Sequence, residues 1–205
     1  MTTRLGRVTC DLTISVDGYS AGLNQSEQRP FGDDGGDGWG DKLHAWYAAA
    51  EENRVELDRG TAAKAFIMGR NMFGPVRGEW DRQWNGWWGD NPPYHGPVFV
   101  LTHHARDPQP MDGGTTFYFV TDGIESALKR AREAVGDGAI SIHGGATTVN
   151  QYLAAGLIDE LRLHIVPLTL GAGTRLFDGV PALNLRQVES RAANSVTHLT
   201  YRVLR

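Results

Sequence analysis

The pattern of apolar and polar positions divides the chain into alternating strand-like and helix-like segments. Residues 8–16 read VTCDLTISV, with Val8, Cys10, Leu12, Ile14 and Val16 set against Thr9, Asp11, Thr13 and Ser15. That two-residue period predicts a strand with one apolar face. A glycine-rich connection covers 17–40, and a loop of such length inside a compact domain is usually functional or mobile. Residues 41–58 carry Leu43, Trp46, Tyr47, Ala50, Val55 and Leu57 in a helical pattern, with Asp41 as N-cap or first-turn acid. Short apolar runs at 65–68, 98–101 and 117–120 predict buried strands, and 124–135 predicts an amphipathic helix behind Thr121-Asp122.

The stretch 139–177 is the most informative. It begins with an apolar run at 139–142, breaks at Gly144-Gly145, continues as a helical pattern over 146–155 and alternates again over 160–166. Strand, glycine pair, helix and strand make one βαβ unit. In an open α/β sheet such glycines sit where ligands bind, and a helix that starts behind them offers N–H groups and a positive dipole end to an anion. Beyond Phe177, alternating runs at 185–190 and 196–204 predict a C-terminal antiparallel hairpin at the sheet edge. The order of elements argues for an α/β domain spanning 1–205, with a mostly parallel central sheet and helices on both faces.

Composition narrows the function classes. A net charge of -4 over 205 residues gives no basic footprint for nucleic acid. The single cysteine, Cys10, excludes an intrachain disulfide and a multi-cysteine metal site, and no histidine pair has metal-ligand spacing. No apolar leader or membrane-length run occurs, so the expectation is a cytoplasmic protein with no membrane partner. Six tryptophans stand out, four of them (Trp80, Trp84, Trp87 and Trp88) within nine positions of a loop covering 75–97. Such a cluster fits a partner surface, a lid over a flat ligand or an oligomer contact.

Two pieces of candidate chemistry compete. Gly18-Tyr19-Ser20-Ala21-Gly22 matches the G-x-S-x-G nucleophile elbow, but no helix follows it. Against it stand three predicted strand ends: Gly69-Arg70-Asn71, Thr102-His103-His104 and His143-Gly144-Gly145-Ala146-Thr147-Thr148. Neither the P-loop nor the standard dinucleotide fingerprint is present. An arginine, hydroxyls and a helix N-terminus converging on one crevice are nevertheless what a dinucleotide's phosphates require.

With these motifs in order, Ile67-Met68-Gly69-Arg70, Val98-Phe99-Val100-Leu101-Thr102, Ile142-His143-Gly144-Gly145 and Val16-Asp17-Gly18 resemble dihydrofolate reductase. Residues 160–167 and 170–177 are closer to the C-terminal reductase domain of bifunctional riboflavin-biosynthesis deaminase-reductases and its stand-alone relatives. The resemblance implies NADPH-dependent reduction of a pteridine- or pyrimidine-like heterocycle in a homodimer, and a three-layer dihydrofolate reductase-like fold. It assigns Gly69, Arg70, Asn71 and Met72 to the cofactor phosphates, with Arg70 suited to a 2′-phosphate. Thr102 and His103 fall at the adenosine end. His143 and Gly144 to Thr148 surround the pyrophosphate, and Gly144-Gly145 would be joined by a cis peptide. Val16, Asp17 and Ala21 would lie by the nicotinamide. At the position of the family's substrate-binding acid stands Leu43, which leaves Asp41, Asp37 and Asp17 as candidate acids. A non-catalytic NADPH-binding protein of the same fold and a Ser20 hydrolase are the alternatives.

Overall fold

The structure, a computed structural model, describes residues 6–33 and 38–205. In chain order it contains β1 (Val8–Ser15), β2 (Tyr19–Ala21), α1 (Trp39–His44), α2 (Arg54–Thr61), β3 (Ala65–Gly69) and α3 (Arg70–Phe73). There follow β4 (Pro97–Leu101), β5 (Gln109–Pro110), β6 (Thr116–Val120), α4 (Ile124–Val135), β7 (Ile140–Gly144) and α5 (Ala146–Ala154). The chain ends with β8 (Glu160–Val166), β9 (Thr174–Arg175), β10 (Asn184–Ala193) and β11 (Val196–Leu204). Nine strands form one sheet in the order β10-β11-β8-β1-β7-β3-β4-β6-β5, and β2 pairs separately with β9. The five pairings from β8 across to β6 are parallel, whereas β10, β11 and β5 join antiparallel. This is the mostly parallel sheet with an antiparallel C-terminal edge that the periodicity predicts.

The two faces of the sheet differ in chemistry. On one, Val8, Cys10, Leu12 and Ile14 of β1 join Ile140, Ile142, Leu161 and Leu163 under α4 and α5. Ala127, Leu128 and Ala131 from α4, and Val149, Tyr152 and Leu153 from α5, complete this core. On the other face, β3, β4 and β6 present Phe66, Met68, Val98, Val100, Phe117 and Phe119 to the tryptophan-rich segment. Trp80, Trp84 and Trp88 pack onto that cluster with Phe73 and Tyr94, so this segment serves as a covering layer for its own sheet. Its indole N–H groups are used internally: Trp80 donates to the His104 carbonyl at 3.0 Å and Trp84 to that of Phe73 at 3.0 Å.

The remainder of that second face is polar. β1 contributes Thr9, Asp11 and Thr13, paired in register with Glu160, Arg162 and His164 of β8. The alternation that reads as solvent-facing in the sequence is instead roofed by α1, the turn after it, and α2. The roof is not the continuous helix expected over 41–58. It unwinds after a short 3-10 turn, Ala45–Ala48, and restarts at Arg54. Asn53 explains the break. Its side-chain amide donates to the Trp46 and Ala49 carbonyls at 3.0 and 3.1 Å, occupying acceptors a continuing helix would use. No helix among the described residues is long and apolar enough to cross a membrane.

Candidate functional site

A large cleft, about 860 Å³, runs along the C-terminal edge of the sheet and down onto its polar face. Its walls come from the tryptophan segment on one side (Trp87, Trp88, Tyr94) and from α2 and the preceding turn on the other (Trp46, Tyr47, Gly60, Thr61). The three strand ends singled out in the sequence meet there. Gly69 closes β3 and Arg70, Asn71 and Met72 follow it, Thr102 and His103 follow β4, and His143 lies in β7 ahead of Gly145, Ala146, Thr147 and Thr148; all of these line the cleft, and Gly144 lies behind its wall. Parallel strands place their C-terminal ends on one edge, which is why loops so far apart in sequence converge.

The β7–α5 junction has the backbone form the resemblance implies: the Gly144-Gly145 peptide is cis. Gly144 has φ +108°, a region closed to ordinary L residues, and no atom lies within 4 Å of where a Gly145 Cβ would be. Gly145 therefore leaves bare backbone and open space at the start of α5, whereas Leu12 fills the space beside Gly144. Gly69 is needed for packing, since a Cβ there would run into the Thr148 hydroxyl.

At the β3–β4 end the chemistry is cationic. Arg70 donates weakly to Thr102 Oγ1 at 3.4 Å, while its Nε and Nη2 are buried with no hydrogen-bond partner. Its guanidinium stacks on the Trp80 ring, 3.8 Å from the ring centroid, with Arg106 5.0 Å from the same centroid. Burial, and then the nearby charges of Arg77 and Arg106, pull Arg70 below the ordinary arginine value. Crowded guanidinium groups with idle donors have the form of an anion site.

The opposite end of the cleft is acidic and aromatic. Asp11, Thr13, Trp46, Tyr47, Glu56, His143 and His164 line it. The Asp11 side chain is 9% exposed. Its Oδ2 accepts from Arg162 at 3.3 Å and Ser141 at 3.4 Å, but Oδ1 has no partner. Burial alone would raise this acid; His164, Arg162 and His143 outweigh it and hold the carboxyl below the usual aspartate value. His143 donates its Nε2–H to the Gly60 carbonyl at 2.9 Å, and burial lowers its basicity.

Other residues marked by the sequence lie elsewhere. Val16 is 63% exposed and, like Asp17, does not line the cleft. The Asp17 carboxylate accepts from the Leu170 and Gly171 N–H groups and from the Ser15 hydroxyl, which ties β1 to the loop before β9. Ala21 does line the cleft. Ser20 sits in β2, its Oγ accepting from the Ala146 N–H at 3.3 Å and donating to the Thr174 carbonyl at 3.4 Å. A hydroxyl bonded to backbone on both sides, with no imidazole beside it, lacks the base a hydrolytic serine requires. Leu43 is fully buried against Val166, so that position supplies no acid. Asp37 and the side chain of Asp41 lie outside the described residues. Asp11 and His164 were not singled out, because each reads as the polar member of an alternating strand.

Known proteins resemble this chain in sequence and in fold. The RibD C-terminal domain family matches residues 7–199. The Bacillus subtilis (strain 168) protein YyaP is 34% identical over 106 residues, 51% of this chain, and the match spans about half of that relative's length (52%). A putative riboflavin biosynthesis protein from Shewanella sp. PV-4 superposes with a TM-score of 0.65 at 24% identity, over 97% of this chain and 99% of the other. Dihydrofolate reductase from Enterococcus faecalis, solved with NADP(H), superposes with a TM-score of 0.54 at 14% identity, over 97% of this chain and 96% of the other.

Proposed function

We propose that this chain, which belongs to the RibD C-terminal domain family, is an NADPH-dependent reductase of a small heterocycle. The observation that carries the reading is Arg70: a guanidinium lining the cleft with two buried, partnerless N–H donors. A 2′-phosphate supplies the acceptors that those donors lack. Thr102 and His103 flank the same end, and the bare backbone at Gly145, where α5 begins, gives the pyrophosphate room for close approach at the positive end of the helix. The dihydrofolate reductase solved with NADP(H) has the same fold, which supports the cofactor assignment. When bound, NADPH would supply the hydride.

This chain's own residues do the rest. The cleft runs from the arginine end past Ser20 and Ala21 to the acidic end, so the dinucleotide and a flat acceptor fit in sequence along it. Trp46, Tyr47 and Trp88 give apolar faces on which a heterocycle stacks. Roofing by α2 and the tryptophan segment keeps water away from the transfer.

The test is binding of NADPH and NADH to the wild type and to Arg70→Gln, followed by calorimetry. Charge-assisted hydrogen bonds contribute about 1.5–3 kcal/mol each. Arg70→Gln is therefore expected to weaken NADPH about 10–100-fold while leaving NADH within about twofold. A wild type that binds neither dinucleotide, or an Arg70→Gln variant that keeps full NADPH preference, refutes the reading.

A further inference from the structure

Hydrogen-bond directions at the acidic end of the cleft fix the position of a proton. Asn53, at one end of the network, is fully buried. Because its Nδ2 donates to two backbone carbonyls, its Oδ1 must face the other way, where Arg191 Nη2 and His198 Nε2 each lie 3.0 Å off. An oxygen cannot donate, so His198 Nε2 carries a hydrogen. Burial first, and then His164, push His198 down to about 4, so at neutral pH it holds that one proton and its Nδ1 is bare.

His198 Nδ1 lies 2.7 Å from His164 Nδ1. With the first bare, the second must donate. This leaves His164 Nε2, which faces Asp11 Oδ1 at 3.9 Å. If Nε2 were also bare, its lone pair would oppose a carboxylate oxygen that itself has no donor, in a site nine-tenths shut off from water. A hydrogen on Nε2 removes the conflict. The Trp46 ring packs on the His164 ring at 4.6 Å and holds it in place.

We propose that His164 is the proton donor of the reduction, with a hydrogen on Nε2 set against Asp11 for delivery to the ring nitrogen of a heterocyclic C=N acceptor. This assignment rests on the reductase reading above. The 3.9 Å gap suits the role: it is close enough for charge pairing and too long for a hydrogen bond that would trap the proton. In the step, hydride from the nicotinamide forms a C–H bond at the acceptor carbon. The C=N π pair moves to nitrogen, which takes the proton from His164 Nε2. The nicotinamide leaves oxidised, the acceptor leaves reduced by two electrons, and neutral His164 recovers a proton from water once product departs.

Among the described residues, no other group facing the pair competes. Arg162 is bonded to Glu160 and Asp11, and Glu56 to Arg191. His143 and His44 are kept neutral by burial, and Tyr47 is pushed up to about 12. A phenol that weak is a poor proton donor.

Long-range ¹H–¹⁵N spectra of the ligand-free protein at pH 7, with His164→Gln used for assignment, read the proton directly. The expected result is both His164 nitrogens protonated, with His198 protonated at Nε2 only. A bare His164 Nε2 overturns the proposal, and this measurement on wild type holds whether or not variants fold. In Asp11→Asn the His164 Nε2 signal is expected to become the bare type. With NADPH and 7,8-dihydropterin as the C=N probe, His164→Gln is expected to lower kcat about 10²–10⁴-fold with NADPH affinity within twofold. An unchanged kcat, or a wild type that binds NADPH yet leaves the probe unreduced, overturns the assignment. A wild type that fails to bind NADPH removes the reductase reading instead, and with it the step, while the spectrum still reports the proton.

Discussion

Replacing Asn53 by alanine is expected to cost this fold part of its stability, for a reason that can be counted. The side chain is fully buried and makes four hydrogen bonds: it donates to the Trp46 and Ala49 carbonyls and accepts from Arg191 and His198. The partners do not suffer equally. Arg191 keeps two bonds to Glu56, at 2.9 and 2.7 Å, and its side chain is partly exposed. The Trp46 carbonyl keeps the Ala49 N–H at 3.2 Å, and the Ala49 carbonyl keeps the backbone N–H of residue 53 at 3.1 Å. His198 Nε2 lies in a buried bond and loses its acceptor. A buried group left unsatisfied costs about 1–3 kcal/mol, against a total stability of about 5–15 kcal/mol for a protein. For a chain of 205 residues, each kcal/mol lowers Tm by about 2–4 °C, so a fall on the order of 5 °C is expected. Differential scanning calorimetry measures it. A fall under about 2 °C would mean that the junction between α1 and α2 is held by something other than Asn53, and the tautomer assignment of His198 would lose its anchor.

Gly173→Ala is expected to destabilise by about 2–4 kcal/mol, because its φ of +134° is nearly closed to L residues and a Cβ would collide with the Ala21 backbone carbonyl. Urea unfolding checks this, and a loss below about 1 kcal/mol would contradict the close approach of the β9 loop to β2. Acid should weaken the fold well before its carboxylates titrate. Burial lowers His44 and His198 to about 4 and lowers His143 as well. Their unfolded values lie near 6.5, so as pH falls from about 6.5 towards 4 the unfolded chain takes up protons that the native state refuses. Each histidine contributes a slope of up to about 1.4 kcal/mol per pH unit in that window. Asp11, Glu56 and Asp17 are lowered, and their contributions disappear only at lower pH. Urea midpoints that stay flat between pH 7 and 5 would refute this account.

The apolar side of the fold was legible because burial writes a period into sequence. Residues 124–135 gave α4 to the residue, and 160–166 gave β8, since both elements lay one consistent face on a dry core. The meeting of the three strand ends in one cleft was legible for a related reason. Glycines, an arginine and hydroxyls stand immediately after apolar runs, and a parallel sheet brings such positions to one edge. What periodicity could not show is which polar faces are covered. Asp11 and His164 occupy the polar phase of β1 and β8, and a polar residue facing water has the same period as one facing a roof. The helical pattern over 41–58 likewise hid Asn53, whose preference for backbone carbonyls opens the helix between α1 and α2.

That break also ties the roof to the candidate chemistry. The Asn53 amide that interrupts the helix turns its own oxygen towards His198, which orients His164, which faces Asp11 across the acidic end of the cleft. A continuous helix would place residue 53 at another height above the sheet and remove the acceptor from which the tautomers follow. The irregular backbone and the polarity of the second face are therefore one arrangement. The alanines and acidic residues of the connecting segment, 48–52, need no packing role of their own, because Asn53 sets where the roof bends. A direct consequence separates this view from one in which the roof is merely a cover. Asn53→Asp keeps an oxygen acceptor for both Arg191 and His198 but turns a second acceptor towards the Trp46 and Ala49 carbonyls. It is expected to lower Tm while raising the protonation of His198, because a carboxylate 3.0 Å from Nε2 favours the imidazolium. With His198 Nδ1 then carrying a hydrogen, His164 Nδ1 must accept, and the ¹⁵N spectrum should show that His164 Nδ1 has lost its hydrogen. Unchanged histidine spectra in a folded Asn53→Asp protein would show that the two rings are not coupled through Asn53.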